Sequence, residues 1–248
     1  SSSASARTDK FTVAVDDGHG GTDSVTLSVR IAPTKSAPVS TSGLYTRLRT
    51  VTEGDSDGLF IDKVRNNNTT KYIVYIGGTD PESKEGQTPY KNLDSWAGKV
   101  DDDQVEVIRR TLETDGALEA EIMLVGYSQG GMDAQNLAAS RLFRVSTVVT
   151  YGSPIIRDAP IGGYKIVHLQ AEFDPITGFS VPGVKAPVFI RRSSNTNFFS
   201  LLFDPTGSRL HGDIATYQSI GRKFDETAGF EEIQLNIQGF SGYIIPQL

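Results

Sequence analysis

The segment that decides the fold reads EIMLVGYSQGGMDAQNLAAS, residues 121–140. The apolar run 122–125 predicts a buried strand, and the stretch of small residues after Gly130 predicts a helix. Between them stands the pentapeptide Gly-Tyr-Ser-Gln-Gly, a G-x-S-x-G motif. Its glycines leave room for a sharp turn from strand to helix, because they carry no Cβ atom that would clash there. We therefore expect Ser128 at the carboxyl edge of a sheet, with its hydroxyl exposed as a candidate nucleophile.

A histidine is the usual base for a serine hydroxyl, which is a poor nucleophile until its proton is removed. The chain has 3 histidines. His168 lies inside a predicted strand, where a buried structural role is expected. His211 lies in a predicted loop just before a helical pattern, which suits a catalytic base better. We therefore expect His211 to be the base.

The carboxylate that orients the base is expected in a loop after a strand, between Ser128 and His211. Residues 166–171 predict such a strand, and Glu172-Phe173-Asp174-Pro175 follows it. Asp174 is the predicted acid, and Glu172 is an alternative two residues closer to the strand. An Asx turn before the proline would explain Asp174 without catalysis.

The negatively charged oxygen of a tetrahedral intermediate needs backbone N–H donors that are already in place. The amide of Gln129, directly after the candidate nucleophile, is one expected donor. The loop Gly-Gly-Thr-Asp after the predicted strand 72–76 supplies the other, with Thr79 the first choice and Gly78 the second. An ordinary glycine-rich turn is the structural alternative for this loop.

The chain from about Gly43 onward alternates apolar runs with helical patterns. This arrangement predicts an α/β fold in which a mostly parallel central sheet is flanked by helices. The predicted strands are 71–76, 121–127, 145–151 and 165–170, and the predicted helices are 101–114 and 130–143.

The first 38 residues have a different pattern. Apolar and polar residues alternate over 11–15 and again over 25–31, which predicts a short β-hairpin. A linker rich in Pro, Ser and Thr follows over 32–42. We therefore divide the chain into a hairpin with its linker, 1–38, and a catalytic α/β domain, 39–248. The acidic turn with Asp16, Asp17 and Asp23 could hold Ca²⁺, although a solvated turn is the favoured interpretation.

Composition excludes several classes of function. The 30 acidic and 24 basic residues give a net charge of −6, which repels phosphate backbones and argues against a nucleic-acid partner. The absence of cysteine excludes disulfides, thiolate zinc sites and a cysteine nucleophile. Apolar runs of about five residues are far shorter than a membrane helix, so no transmembrane segment is expected. The oligomeric state is left open.

Four segments resemble the lipase class 3 branch of the α/β-hydrolases, within a region that covers roughly residues 72–217. They are YIVYIGGTD (72–80), LVGYSQGG (124–131), VVTYGSP (148–154) and HLQAEFDPIT (168–177). Tyr127, Gln129 and Gly77 stand where that family usually has His, Leu and Arg. A Ser–Gln pair at this position is common in cutinase-like esterases. The resemblance implies an α/β-hydrolase fold and serine esterase chemistry, without a triglyceride-lipase assignment.

This resemblance implies that Ser128, Asp174 and His211 form a catalytic triad that cleaves a lipid or other acyl ester through an acyl-enzyme. The chain order nucleophile, acid, base in that superfamily excludes His19. No metal and no cofactor is expected. Acyl transfer by the same triad is an alternative, and so is a surface adhesion or binding module that uses the fold without catalysis.

The segment between Asp174 and His211 is long for a connection in a compact domain. It contains the run Phe-Phe-Ser-Leu-Leu-Phe, residues 198–203. We expect Phe198, Phe199 and Leu202 to form an acyl-chain pocket or lid; completion of the core is the alternative.

Residues 9–38 resemble the last two strands and exit linker of cadherin-like or Ig-like repeats in large bacterial surface proteins. This second resemblance implies that the chain is part of a longer bacterial protein, which is secreted or held in the cell envelope.

Overall fold

A computed structural model describes residues 7–31, 35–53, 58–79, 88–160, 163–191 and 211–246. The strands in these ranges are β1 (Arg7–Asp16), β2 (Thr22–Ile31), β3 (Lys35–Ser36), β4 (Leu59–Asn66), β5 (Thr69–Ile76), β6 (Ile122–Tyr127), β7 (Val145–Tyr151), β8 (Lys165–Ala171), β9 (Val188–Arg191) and β10 (Tyr243–Ile245). The α-helices are α1 (Thr41–Thr52), α2 (Pro89–Trp96), α3 (Asp102–Thr114), α4 (Gln129–Ser140), α5 (Ile214–Asp225) and α6 (Glu231–Gln238). A short 3₁₀ helix spans Pro175–Phe179.

The main sheet has 8 strands in the order β3-β10-β4-β5-β6-β7-β8-β9. Strands β5 to β9 are parallel to one another, and the strands on the other side of β5 pair antiparallel. The carboxyl ends of β5, β6, β7 and β8 therefore meet at one edge of the sheet. This mixed but mostly parallel sheet agrees with the predicted α/β class.

Both faces of the sheet are covered by helices. On strand β5, Ile73 and Tyr75 face one core, which also holds apolar residues of α1, α5 and α6. Tyr72, Val74 and Ile76 face the opposite core, which holds apolar residues of α3 and α4. Side chains that alternate between two apolar layers explain why the central strands read as unbroken apolar runs.

The first strand of the main sheet, β3, precedes residue 39, where the sequence predicts that the catalytic domain begins. β3 pairs with β10, the amide of Ala37 donates to the carbonyl of Gly242 at 2.9 Å, and Ala37 is buried in the core. Residues 35–37, which lie in the predicted linker, thus take part in the main sheet. The division into two functional units stays a prediction.

The hairpin β1–β2 forms a separate two-stranded sheet, paired from Arg7 with Ile31 to Asp16 with Thr22. In its turn, one carboxylate oxygen of Asp17 accepts hydrogen bonds from the amides of His19 and Gly21, and these bonds lower the pKa of Asp17. These contacts give the acidic turn a structural role of its own. Within the described ranges, no group of three or more His, Asp or Glu residues could hold a metal ion.

The turn from β6 into α4 is a region of very close backbone packing. A Cβ atom built on Gly126 would lie 2.3 Å from the carbonyl oxygen of Gly130. A Cβ atom on Gly130 would lie 2.2 Å from the carbonyl oxygen of Ile76 and 2.3 Å from that of Gly77. No real Cβ atom tolerates such distances, so both positions require glycine. The motif found in the sequence therefore has the steric reason predicted for it.

We expect Gly130→Ala to lower the free energy of unfolding by roughly 1 to 3 kcal/mol or more, because the added methyl overlaps backbone atoms that cannot move independently. Denaturant unfolding measures the loss. Gly178→Ala is the matched control, since a Cβ atom there meets nothing within 4 Å. Equal stability of the two variants would contradict the packing described for the turn.

Candidate functional site

Ser128 lies at the edge where the parallel strands end, between β6 and α4. Its backbone has φ 54° and ψ −121°, a conformation that non-glycine residues rarely adopt. The amide of Ser128 donates to the carbonyl of Tyr151 at 3.0 Å, which anchors the turn to β7. A residue held in a strained conformation at a sheet edge is typical of functional sites.

The structure brings His211 to Ser128. Nε2 of His211 lies 2.9 Å from Oγ of Ser128, and Tyr127 contacts His211 as well. The Tyr127 hydroxyl donates to the backbone carbonyl of His211 at 2.6 Å, and the two rings stack with centroids 4.9 Å apart. Tyr127, the residue before the candidate nucleophile, thus positions the candidate base.

Tyr127 is itself fixed from its other side. The guanidinium of Arg49 on α1 lies 4.8 Å from the centre of the Tyr127 ring, and Arg49 also donates to the hydroxyl of Tyr45 at 3.2 Å. Burial raises the pKa of Tyr127 well above the ordinary value for a tyrosine. Its hydroxyl therefore remains a hydrogen-bond donor to His211 at neutral and alkaline pH.

Asp174 completes the line of hydrogen bonds. Its Oδ2 lies 2.8 Å from Nδ1 of His211, and its Oδ1 accepts from the amide of Ile176 at 2.9 Å. The preceding residue, Phe173, has a φ of 71°, so the chain bends sharply after β8 and turns the carboxylate toward His211. Of the two acids considered from the sequence, it is Asp174 and not Glu172 that contacts His211. The Ile176 contact shows that the Asx turn is also present.

The candidate oxyanion donors surround Ser128. Gln129 is the first residue of α4. The Ser128 side chain accepts no hydrogen bond from the N–H groups at the start of this helix. Oγ1 of Thr79 donates to Oε1 of Gln129 at 2.9 Å and accepts from Nδ2 of Asn92 at 2.7 Å. A Cβ atom on Gly78 would lie 3.1 Å from Cβ of Ser128, so this loop packs directly against the serine. Gln129 and Gly78 are therefore adjacent to Ser128, and Thr79 is joined to this group through the side chain of Gln129.

A cavity of about 610 Å³ opens beside Ser128 and His211. Its polar wall includes Thr79, Asn92 and Gln129. The remaining wall is mostly apolar and consists of Leu93, Trp96, Tyr127, Met132, Pro154, Ile176 and Phe179. Phe198, Phe199 and Leu202, the predicted acyl-chain residues, lie outside the described residues, so their role stays a prediction.

Helix α2 forms one side of this cavity and is anchored to α4 by buried polar contacts. Oγ of Ser95 donates to Asp133 at 2.5 Å, and Gln104 of α3 donates to the other oxygen of Asp133 at 3.2 Å. The indole N–H of Trp96 donates to the carbonyl of Phe179 across the cavity at 3.0 Å. Sequence reasoning missed this wall, although the three-residue spacing of Leu93 and Trp96 was a signal for a helix with an apolar face.

His168 has the buried position that its place in a strand predicts. The side chain is fully buried, and Nδ1 is 2.8 Å from Oγ1 of Thr150. Nε2 is buried and has no hydrogen-bond partner among the described residues. Burial lowers the pKa of His168 to about 3, so the ring is neutral in the folded protein near neutral pH.

Comparisons with known proteins identify no family. No protein-family model matches the chain, and no curated protein matches it.

The described helices include none that is both long and apolar enough to span a membrane.

We predict that His168 makes the protein less stable in mild acid. In the unfolded chain a histidine binds a proton below a pH of about 6.5, whereas folded His168 does so only near pH 3. The unfolded state therefore holds more protons between these values, and stability falls as the pH falls. Between pH 7 and pH 5 this amounts to about 2 kcal/mol, which His168→Asn should remove from the pH dependence measured by denaturant unfolding.

His19→Gln is the control for this measurement, because His19 lies exposed in the hairpin turn. It should retain the full loss of stability between pH 7 and pH 5. The same loss in His168→Asn as in the wild type would contradict the assignment.

Proposed function

We propose that the chain is a serine hydrolase of carboxylic esters, with an α/β-hydrolase fold. One observation carries this proposal: the unbroken line from Oγ of Ser128 to Nε2 of His211 at 2.9 Å, and from Nδ1 of His211 to Asp174 at 2.8 Å. This arrangement of nucleophile, base and orienting acid is what acyl transfer through a serine requires.

The first half of the reaction forms an acyl-enzyme. Oγ of Ser128 attacks the ester carbonyl carbon while Nε2 of His211 takes the serine proton. The tetrahedral intermediate then collapses, the carbon–oxygen bond to the alcohol breaks, and the alcohol leaves with the proton from Nε2. In the second half, His211 deprotonates a water molecule, which attacks the acyl carbon. The bond from that carbon to Oγ of Ser128 then breaks, Nε2 returns its proton to Oγ, and the carboxylic acid leaves.

Asp174 and the backbone amides supply the electrostatics of these steps. The Asp174 carboxylate fixes the tautomer in which Nδ1 carries the proton, and it stabilises the imidazolium when Nε2 is protonated. The amide of Gln129 and that of Thr79 or Gly78 are the proposed donors to the oxyanion. Thr79 is held for this role by its hydrogen bonds to Gln129 and Asn92.

The shape of the cavity supports an ester with an apolar acyl chain as substrate. The cavity has the size of an ordinary small-molecule site, and its apolar wall begins next to Ser128. Leu93, Trp96 and Phe179 on this wall are 70%, 46% and 65% exposed, so they offer apolar surface that a bound chain would cover. Burial of that surface would favour longer chains over acetate.

Replacement of the nucleophile is the direct test of the proposal. Ser128→Ala should lower kcat for p-nitrophenyl esters by a factor on the order of 10⁴ to 10⁶, because no acyl-enzyme can form. The wild type should react with a fluorophosphonate probe, which requires an activated serine, and Ser128→Ala should not.

Ser140→Ala is the control for labelling, since this serine lies at the far end of the same helix. It should label like the wild type. A wild-type protein that neither hydrolyses esters nor labels would refute the proposal and favour a binding module on this fold.

Leu93→Ala tests the acyl-chain wall. We expect kcat/KM for octanoate esters to fall roughly 3- to 10-fold relative to acetate esters, because only the longer chain reaches this side chain. Leu142→Ala removes another exposed leucine, one that does not line the cavity, and it should leave the ratio unchanged. Equal losses on both esters in Leu93→Ala would count against an acyl chain on this wall.

A further inference from the structure

Asp174 has a second partner, Tyr217 of α5, which sequence analysis did not connect with the site. The hydroxyl of Tyr217 donates to Oδ2 of Asp174, the oxygen that also faces His211. Both side chains are buried, Tyr217 completely. One carboxylate oxygen is thus shared between a tyrosine donor and the candidate base.

The backbone of the neighbouring strand leaves space for this contact. Gly152 follows β7, which lies between β6 and β8 in the sheet, and it has a φ of 53°. A Cβ atom on Gly152 would lie 2.5 Å from the Tyr217 hydroxyl oxygen and 3.1 Å from Oδ2 of Asp174. Any side chain at this position would separate the tyrosine from the carboxylate.

Tyr217 remains a donor over the range of pH in which a histidine base works. Burial, and then the charge of Asp174, raise the pKa of Tyr217 well above the ordinary value. Its aromatic ring is held on several sides by Tyr45, Tyr127 and Tyr151, with ring centroids 5.4 to 6.5 Å away. The hydroxyl is therefore both protonated and fixed in direction.

The other titratable groups around the imidazole and carboxylate come from four elements. They are Tyr127 on β6, which contacts His211, Tyr151 on β7, which packs on Tyr217, Tyr45 and Arg49 on α1, which face Tyr127, and, farther out, Glu53 after α1 and Asp213 before α5, which face Tyr45. Among the hydrogen bonds of the described residues, Asp174 Oδ2 accepts from His211 and Tyr217 only. Tyr217 is therefore the group best placed to control the charge that this oxygen presents to His211.

We infer that Tyr217 is a positioning residue, which holds Oδ2 of Asp174 toward His211 and reduces the negative charge that the imidazole experiences. The inference rests on the proposed function, because it assigns Tyr217 a part in the work of the same acid and base. A hydrogen bond to a carboxylate draws charge from the accepting oxygen. Without it, a protonated His211 would be stabilised more strongly, and the carboxylate would be less well oriented.

Tyr217→Phe tests the inference with the whole chain, since it removes the hydroxyl and keeps the ring. We expect kcat for p-nitrophenyl butyrate to fall about tenfold with KM unchanged, because Tyr217 does not line the cavity. In the pH profile of kcat/KM, the fall on the acid side (the acid limb) should move to higher pH. The imidazole must lose its proton to act as a base, and without the Tyr217 hydroxyl the protonated imidazole is stabilised more strongly.

Tyr151→Phe is the matched control. The Tyr151 hydroxyl is also buried, but it donates to the carbonyl of Thr41 at 2.6 Å and not to Asp174. This variant should lose stability to a similar degree and keep the acid limb of the wild type. Movement of the acid limb in both variants would reduce Tyr217 to a packing role and overturn the inference.

A second measurement does not depend on turnover. The imidazole of His211, followed by ¹H–¹⁵N NMR, should titrate at higher pH in Tyr217→Phe than in the wild type. An active wild type with coincident titrations would overturn the inference and leave the proposed function intact. A wild type without turnover or probe labelling would refute the proposed function, and with it the part assigned to Tyr217.

Discussion

The contact between Gly130 and the carbonyl end of β5 is the constraint on which the site depends. Because the backbone of α4 touches Ile76 and Gly77, the helix begins directly over the end of the neighbouring strand. This approach forces Ser128 into its unusual backbone conformation and places the Gly78 loop against its side chain. The candidate nucleophile and the candidate oxyanion donors Gln129 and Gly78 therefore lie around one close backbone contact.

The parallel arrangement of β5 to β8 supplies the rest of the geometry. These four strands end at one edge, so residues from distant parts of the chain, such as Thr79, Ser128 and Asp174, meet there. β7 lies between β6, which leads to Ser128, and β8, which leads to Asp174, and it is followed by Gly152, which has no side chain. Because Gly152 has no side chain, the Asp174 carboxylate can contact His211 and Tyr217 at the same time.

The sequence allowed the positions that lie together at the candidate site, Ser128, Asp174 and His211, to be predicted because each stands at a change of pattern, from strand to turn or from loop to helix. The contacts of Tyr127 and Tyr217 could not be predicted, since they depend on ring packing between distant elements. Helix α1 was also missed: its sequence, TSGLYTRLRTVT, contains glycine and several β-branched residues that disfavour a helix. It forms because Leu44, Tyr45 and Leu48 are buried against the sheet.

The distribution of polar and apolar groups around Ser128 restricts how an ester would bind under the proposed function. Thr79 follows β5 and its hydroxyl donates to the Gln129 side chain, so the proposed donors Thr79 and Gln129 would draw the ester carbonyl oxygen toward the end of that strand. Met132 and Ile176 line the same cavity as Trp96 and Phe179. An acyl chain placed along these apolar side chains would leave the polar groups of the ester to Ser128 and His211, and the alcohol needs the proton held on Nε2 of His211 in order to depart.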